Sequence, residues 1–224
     1  MKHTNFLWLF LFCCIHQNIA AQSWTPKGSE WIYSWSLRYA GGQTRVTYNE
    51  DKVIDGVLCQ KFESQTYEMV NNHLGNPIAF YTHYSNDTLY KWNPDNENFE
   101  MLWTLNAEVG DVWAYDNLTS ARPCGEFGVV VDSVGTIMRY GKERRFVRVV
   151  PDSFGEDTLY DIIHYKGMII EGVGMTGTYF TPLRTPCSPT MALRPEQICY
   201  TNPELNSICS WDGNISGTPL PSFE

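Results

Sequence analysis

The chain has 224 residues, 43% of them hydrophobic and 14% aromatic, and a formal net charge of −9. That is enough chain and enough apolar content to bury a core, which argues against disorder. The acidic balance argues against nucleic acid and against electrostatic docking on anionic lipid, since both call for a basic face.

Residues 1–22 read as a signal peptide. Lys2 and His3 form a short polar start, residues 6–15 are an apolar run, and Ala20 and Ala21 offer a small-residue cleavage site before Gln22. The apolar run is too short to span a bilayer as a helix, and no later stretch approaches that length. Cys13 and Cys14 raise the question of a lipoprotein signal, but Phe12 stands where a small residue would be wanted. The expectation is a secreted or cell-surface protein that begins near Gln22, with no membrane span in the mature chain.

Residues 23–200 read as one antiparallel β domain. Its organising stretch is 31–39, where Trp31, Tyr33, Trp35, Leu37 and Tyr39 share one parity and Ile32, Ser34, Ser36 and Arg38 the other. In a strand, alternate side chains face opposite ways, so this is one aromatic face and one mostly wet face. Ala40, Gly41, Gly42 and Gln43 are expected to form a turn, with the glycines at positive φ. Val46 and Tyr48 should point inward on the return strand. Asp55-Gly56 between two β-rich runs is a strong hairpin signal, because a type I′ turn needs positive φ at both central residues.

Further strands are expected over 65–70, 78–84, 88–92 and 99–105, with Asn86-Asp87 and residues 93–98 as turns, and then near 109–113. Another follows over 125–139, interrupted at Gly135 by a bulge or turn. Tyr140-Gly141 turns into 142–150. The last strands are expected over 158–165 and 168–173. A weak echo links 51–62 with 132–146, each a strand, a glycine turn and a basic-aromatic return, as generic hairpin grammar would also produce. Helical periodicity is nearly absent. Roughly a dozen short strands make an all-β antiparallel meander that must curl into a half-barrel, barrel or sandwich. Residues 201–224 read as a Cys-containing hairpin followed by a linker-like tail.

Seven cysteines less the two in the signal leave Cys59, Cys124, Cys187, Cys199 and Cys209. Five is odd, so at least one is free, paired between chains, or short of a partner. Cys199 and Cys209 flank a turn-rich segment and are expected to form a disulfide in an oxidising compartment. No Cys-x-x-Cys pair is present, so zinc and thioredoxin-like chemistry are disfavoured.

Several of these elements, in order, resemble a known family. They are Trp24-x-Pro26-x-Gly28-Ser29-x-Trp31-x-Tyr33, the hairpin over 51–61 with Gly56 and Cys59, the strand and Val-Gly-Asp of 102–113, the Val-Asp-Ser-Val and Gly-x-x-Arg of 131–145, Glu171-Gly172-Val173-Gly174, and the segment 198–209. Together they resemble the N-terminal β domain of secreted Bacteroidetes proteins of the kind usually followed by a sorting domain read by the type IX secretion system. The resemblance implies location, architecture and the export machinery as a partner. It brings no catalytic residues. Since no sorting domain is seen before Glu224, the chain is either a fragment or exported differently.

Signals for chemistry are sparse. His-Glu-x-x-His and Gly-x-Ser-x-Gly are missing. His73, His83 and His164 read as structural. Glu171 is the one candidate catalytic residue, a general acid if buried beside an acidic group such as Asp161. The alternative is a carboxylate that accepts hydrogen bonds from the backbone N–H groups around the glycines. Asp152, Glu156 and Asp157 form an oxygen-rich loop that would suit calcium, although polar turns are commoner; no resident metal or cofactor is expected. Asn86, Asn117 and Asn214 match the N-glycosylation acceptor, which a bacterial source would make moot. Trp92, Trp103 and Trp113 would stack on sugar rings if exposed on one face, or fill the core if not. The leading expectation is a non-enzymatic binding module for a glycan or a surface protein. The alternatives are a structural spacer without a ligand and, less favoured, a hydrolase using Glu171.

Overall fold

The computed structural model describes residues 23–37, 40–115, 127–151, 167–176 and 196–209. Among the described residues, fourteen strands form two antiparallel sheets and no helix occurs. The strands are β1 (Glu30–Leu37), β2 (Ala40–Ile54), β3 (Val57–Glu68), β4 (His73–Leu74), β5 (Ile78–Ser85), β6 (Thr88–Asn93), β7 (Asn98–Thr104), β8 (Val112–Tyr115), β9 (Phe127–Arg139), β10 (Lys142–Pro151), β11 (Gly167–Ile170), β12 (Gly174–Met175), β13 (Glu196–Asn202) and β14 (Leu205–Cys209). The larger sheet, a half-barrel, runs β14-β13-β1-β2-β3-β5-β6-β7, with β4 paired onto β3; the smaller runs β12-β11-β10-β9-β8. The fold is therefore all-β and antiparallel, as the alternation in the sequence implied.

Three of the two-residue turns have positive φ at both central residues. Asp55 and Gly56 have φ of 49° and 77°, Asn86 and Asp87 50° and 58°, Tyr140 and Gly141 54° and 72°. Positive φ at both central residues gives the turn a twist that matches the flanking strands. Tyr140 is a bulky residue for this conformation. Its ring packs at 5.9 Å from Tyr200, and the Arg139 guanidinium lies 5.5 Å from the ring centroid, contacts that hold the turn in place.

Two glycine expectations are corrected. Gly41 and Gly42 are not a turn: they continue β2, paired with Ser36 and Trp35 of β1. The β1–β2 ladder reaches Leu37 and Ala40, so the glycines are ladder residues and need no positive φ. Gly135 is likewise within a strand, opposite Phe146, and a Cβ there would lie 3.1 Å from the Phe146 ring. The missing side chain lets the ring lie across the strand. The bulge in this hairpin falls instead beside Asp132, between the pairs Arg148–Ser133 and Val149–Val131.

One core draws on both sheets. Trp31 and Tyr33 of β1 are fully buried, and Trp31 packs against Trp24 (5.4 Å between ring centroids), Phe62 (5.9 Å) and Tyr200 (5.2 Å). Val46, Tyr48, Leu89 and Trp103 join them, with Val129, Val131, Val147, Val149 and Ile169 from the smaller sheet. Ile32, expected on the wetter face of β1, is also buried. It is flanked by Arg45 and Cys199, because β1 is an interior strand with β2 on one side and β13 on the other. A bulge between Leu89 and Tyr90 gives β7 an extra residue, so that Leu102 and Trp103, although adjacent, are both buried.

The seam between the sheets is the turn Glu171-Gly172-Val173. Its three successive carbonyls each accept a hydrogen bond from another element. Arg144 Nη1 donates to Glu171 O at 2.8 Å, the Tyr200 hydroxyl to Gly172 O at 2.7 Å, and the Trp31 indole N–H to Val173 O at 2.6 Å. Gly172, at φ 72°, has no side chain where a Cβ would meet Arg144 Nη1 at 2.6 Å. The Glu-Gly-Val-Gly motif is thus explained by a close backbone approach from three directions.

Candidate functional site

Two arrangements concentrate polar or aromatic side chains, and the sequence candidates divide between them. The first is ionic. Asp87, in the turn between β5 and β6, accepts two bonds from Arg145 of β10, both at 2.9 Å. The same guanidinium donates to Glu171 from Nη2 at 2.8 Å and from Nε at 3.2 Å, and the Arg145 backbone N–H also reaches Glu171 at 3.2 Å. The Tyr84 hydroxyl donates to Asp87 at 3.0 Å. Arg145 hydrogen bonds hold both carboxyls below the usual carboxylate range, against opposing desolvation. Burial, with Asp87 alongside, pushes the Tyr84 phenol well up.

This corrects Glu171 as a general acid. A general acid must carry a proton near neutral pH, which requires a raised pKa. Glu171 is instead an ionised carboxylate neutralised by Arg145. Its carboxylate accepts a backbone N–H from Arg145 on β10, where the structural alternative looked to the N–H groups around the glycines. The acidic neighbour suggested for it, Asp161, lies outside the described residues. So do Asp152, Glu156 and Asp157 of the oxygen-rich loop, and with them His164, Asn117, Asn214, Cys124, Cys187 and the signal-like segment.

The second arrangement is aromatic and lies on the outward face of the half-barrel. The two-residue turn at Asn86-Asp87 sets Ser85 opposite Thr88, and therefore His83 opposite Tyr90. Beyond the bulge, Tyr90 lies opposite Met101 and Trp92 opposite Phe99. Alternation puts His83, Tyr90, Trp92, Phe99 and Met101 on one face, and Tyr84, Leu89 and Trp103 on the core face. Exposure agrees: the outward aromatics are half-buried, while Leu89 and Trp103 are 0% and 2% exposed. Trp92 meets Phe99 edge-on at 5.0 Å. His83 lies at 5.9 Å from Phe99 and at 6.4 Å, nearly parallel, from Tyr90. Tyr81 continues the face on β5, with the Lys52 ammonium 5.2 Å from its ring centroid.

Of the three tryptophans expected to form a ligand face, only Trp92 lies on the outward face of the sheet. Trp103 and Trp113, at 2% and 5% exposed, are core residues and are corrected as ligand contacts. Trp103 meets Trp24 edge-on at 5.7 Å, and Trp113 stands on β8 opposite Val129. An indole enclosed on the core side offers no face to a sugar ring. His83, Tyr90 and Phe99 were missed as site residues because they come from three strands. The signal was present, since a two-residue turn at Asn86-Asp87 dictates that His83 pairs with Tyr90.

The cysteines also sort themselves. Cys59 is free and 1% exposed, and burial pushes its thiol up to about 11, which makes it a poor nucleophile at neutral pH. Cys199 is buried and lies opposite Cys209 in the β13–β14 ladder. No group of three or more metal-ligating side chains occurs among the described residues. No helix there is long and apolar enough to cross a membrane.

No family model, curated protein or solved structure matches the chain.

Proposed function

We propose that the chain is a non-enzymatic binding module, carried outside the cell on a protein of the type IX secretion kind, that holds a glycan against the outward aromatic face of β5, β6 and β7. The observation that carries this reading is the row His83, Tyr90, Trp92 and Phe99: four half-buried rings in contact on the outward face of a sheet whose other face carries the core residues Tyr84, Leu89 and Trp103. Rings of this kind present an apolar face to sugar C–H groups and polar edges to hydroxyls. The signal-like start and the ordered motifs of the sequence support the extracellular setting.

The test is binding to an immobilised glycan array by the wild-type chain and by Trp92→Ala. The expected result is loss of signal in the variant with its melting temperature within a few degrees of wild type, because Trp92 is half exposed and outside the core. Equal binding by the two chains, or no binding by the wild type to any glycan, would overturn the reading.

An oxidising location makes a bridge between Cys199 and Cys209 the expected state of that cross-strand pair. Closing a loop of about ten residues contributes roughly 2–3 kcal/mol in the chain-entropy model. Peptide mapping without reductant should recover the two cysteines as one linked species, and reduction should lower stability by about that amount. Recovery of either as a free thiol would contradict it.

A further inference from the structure

His83 is the member of the aromatic row whose polar edge is oriented by a backbone hydrogen bond. Its Nδ1 lies 3.1 Å from the carbonyl oxygen of Leu58 on β3. A carbonyl only accepts, so Nδ1 carries the proton, and in the neutral ring Nε2 carries the lone pair. Nε2 sits at the far end of the ring from the backbone, and no described residue bonds to it. The ring itself is held between Tyr90 and Phe99. A fixed acceptor is therefore set among rings that offer stacking faces.

The charges nearby lie on the opposite face or are held by partners beside the row. Lys91 and Glu100 belong to β6 and β7 but pair with Thr82 and with each other in the register, on the opposite face from Trp92 and Phe99. Lys61 is bound to Glu50 at 2.9 Å and to Glu63 at 3.2 Å. Lys52 lies over Tyr81 and donates to its hydroxyl at 3.5 Å, beside the row. No ionised side chain stands within the row to pair with a charged ligand.

We propose that His83 is a specificity-determining residue, whose Nε2 accepts a hydrogen bond from a ligand hydroxyl, and that the face selects an uncharged glycan whose pyranose C–H surface lies on Trp92 and Phe99. This rests on the glycan reading above and narrows it. A site built to accept a bond from a hydroxyl discriminates against a ligand that lacks it, because an acceptor would then be covered and unpaired. At the row an anionic sugar would bring a carboxylate to a lone pair and to ring faces of negative potential, and the nearest ammonium, that of Lys52, is held against the Tyr81 ring and hydroxyl.

The experiment is calorimetric titration of the full chain with gluco-, manno- and N-acetylglucosamine β-1,4-linked hexaoses, and with hexagalacturonate as the anionic probe. Wild type, Trp92→Ala, His83→Phe and His83→Gln are compared, with melting curves for each. Phe keeps a ring and removes the acceptor; Gln restores an acceptor without the ring. The expected result is a neutral hexaose bound by wild type, no binding by Trp92→Ala, at least a fivefold weaker dissociation constant for His83→Phe, and recovery of part of that loss in His83→Gln. Hexagalacturonate should bind no variant.

Wild-type affinity in His83→Phe alongside loss in Trp92→Ala would overturn the role of His83 and leave the glycan reading standing. Trp92-dependent preference for hexagalacturonate would overturn the choice of an uncharged ligand. If no probe binds the wild type, both readings fall together. Should His83→Phe not fold, His83→Leu, which also removes the acceptor, takes its place, and wild-type affinity in a folded His83→Leu overturns the proposal.

Discussion

Replacing Trp31 with Ala should destabilise the fold by about 3–5 kcal/mol, the range for a fully buried large aromatic. Trp31 is 0% exposed, touches three other rings, and is bound through its indole N–H to Val173 O on the other sheet. Trp31→Phe separates the two contributions. It keeps most of the ring packing and leaves Val173 O buried without that donor, which costs about 1–3 kcal/mol. Urea denaturation of both variants checks this. Trp31→Phe should fall between wild type and Trp31→Ala; a Phe variant as stable as wild type would mean that the inter-sheet hydrogen bond contributes nothing net.

The second large effect is expected at Arg145. Arg145→Met removes the group that neutralises Asp87 and Glu171 and leaves two carboxylates near one another. The side chains concerned are 33–40% exposed, so water screens part of the loss. The expected cost at neutral pH is about 1–2 kcal/mol. The pH dependence gives a sharper signature. Both folded-state pKa values lie below the ordinary 3.8 and 4.5, so the stabilisation is present above those values. It is lost as pH falls through the lower folded-state values, where both carboxyls become protonated. Wild type should therefore lose its advantage over Arg145→Met as pH falls through about 4 and below. A stability difference between the two chains that stays constant from pH 7 to pH 3 would contradict the ionic clamp.

Much of the fold is legible in the sequence because turn chemistry and alternation act locally. Asp55-Gly56, Asn86-Asp87 and Tyr140-Gly141 each mark a hairpin, and the parity of Trp31 and Tyr33 marks the core face of β1. What misleads is glycine. Gly41 and Gly42 look like a turn, yet the ladder runs through them, and Gly135 looks like an interruption, yet it lies under the Phe146 ring. In both cases pairing with the adjacent strand of the hairpin decides the backbone. Ile32 is misjudged for a related reason: β13 arrives beside β1 from more than 150 residues away.

The site is legible in part. Trp92 can be placed on a solvent face by alternation along β6. Trp103 and Trp113 cannot, because the bulge at Leu89 shifts the parity of β7 and Trp113, on β8 of the smaller sheet, faces the core that the two sheets share. The Glu171-Gly172-Val173-Gly174 motif stands out in the sequence, but its use does not. The three donors that converge on its carbonyls come from β1, β10 and β13, so only the assembled sheets reveal a seam where an isolated carboxylate suggested catalysis.

The most direct measurement of the central claim is to follow the tryptophan indole N–H resonances while the neutral hexaoses are titrated into the isotopically labelled chain. The account predicts that the Trp92 indole signal shifts with saturation, while those of Trp31, Trp103 and Trp113, enclosed in the core, stay in place. Shifts confined to other tryptophans, or no shift at Trp92 with any hexaose, would contradict it.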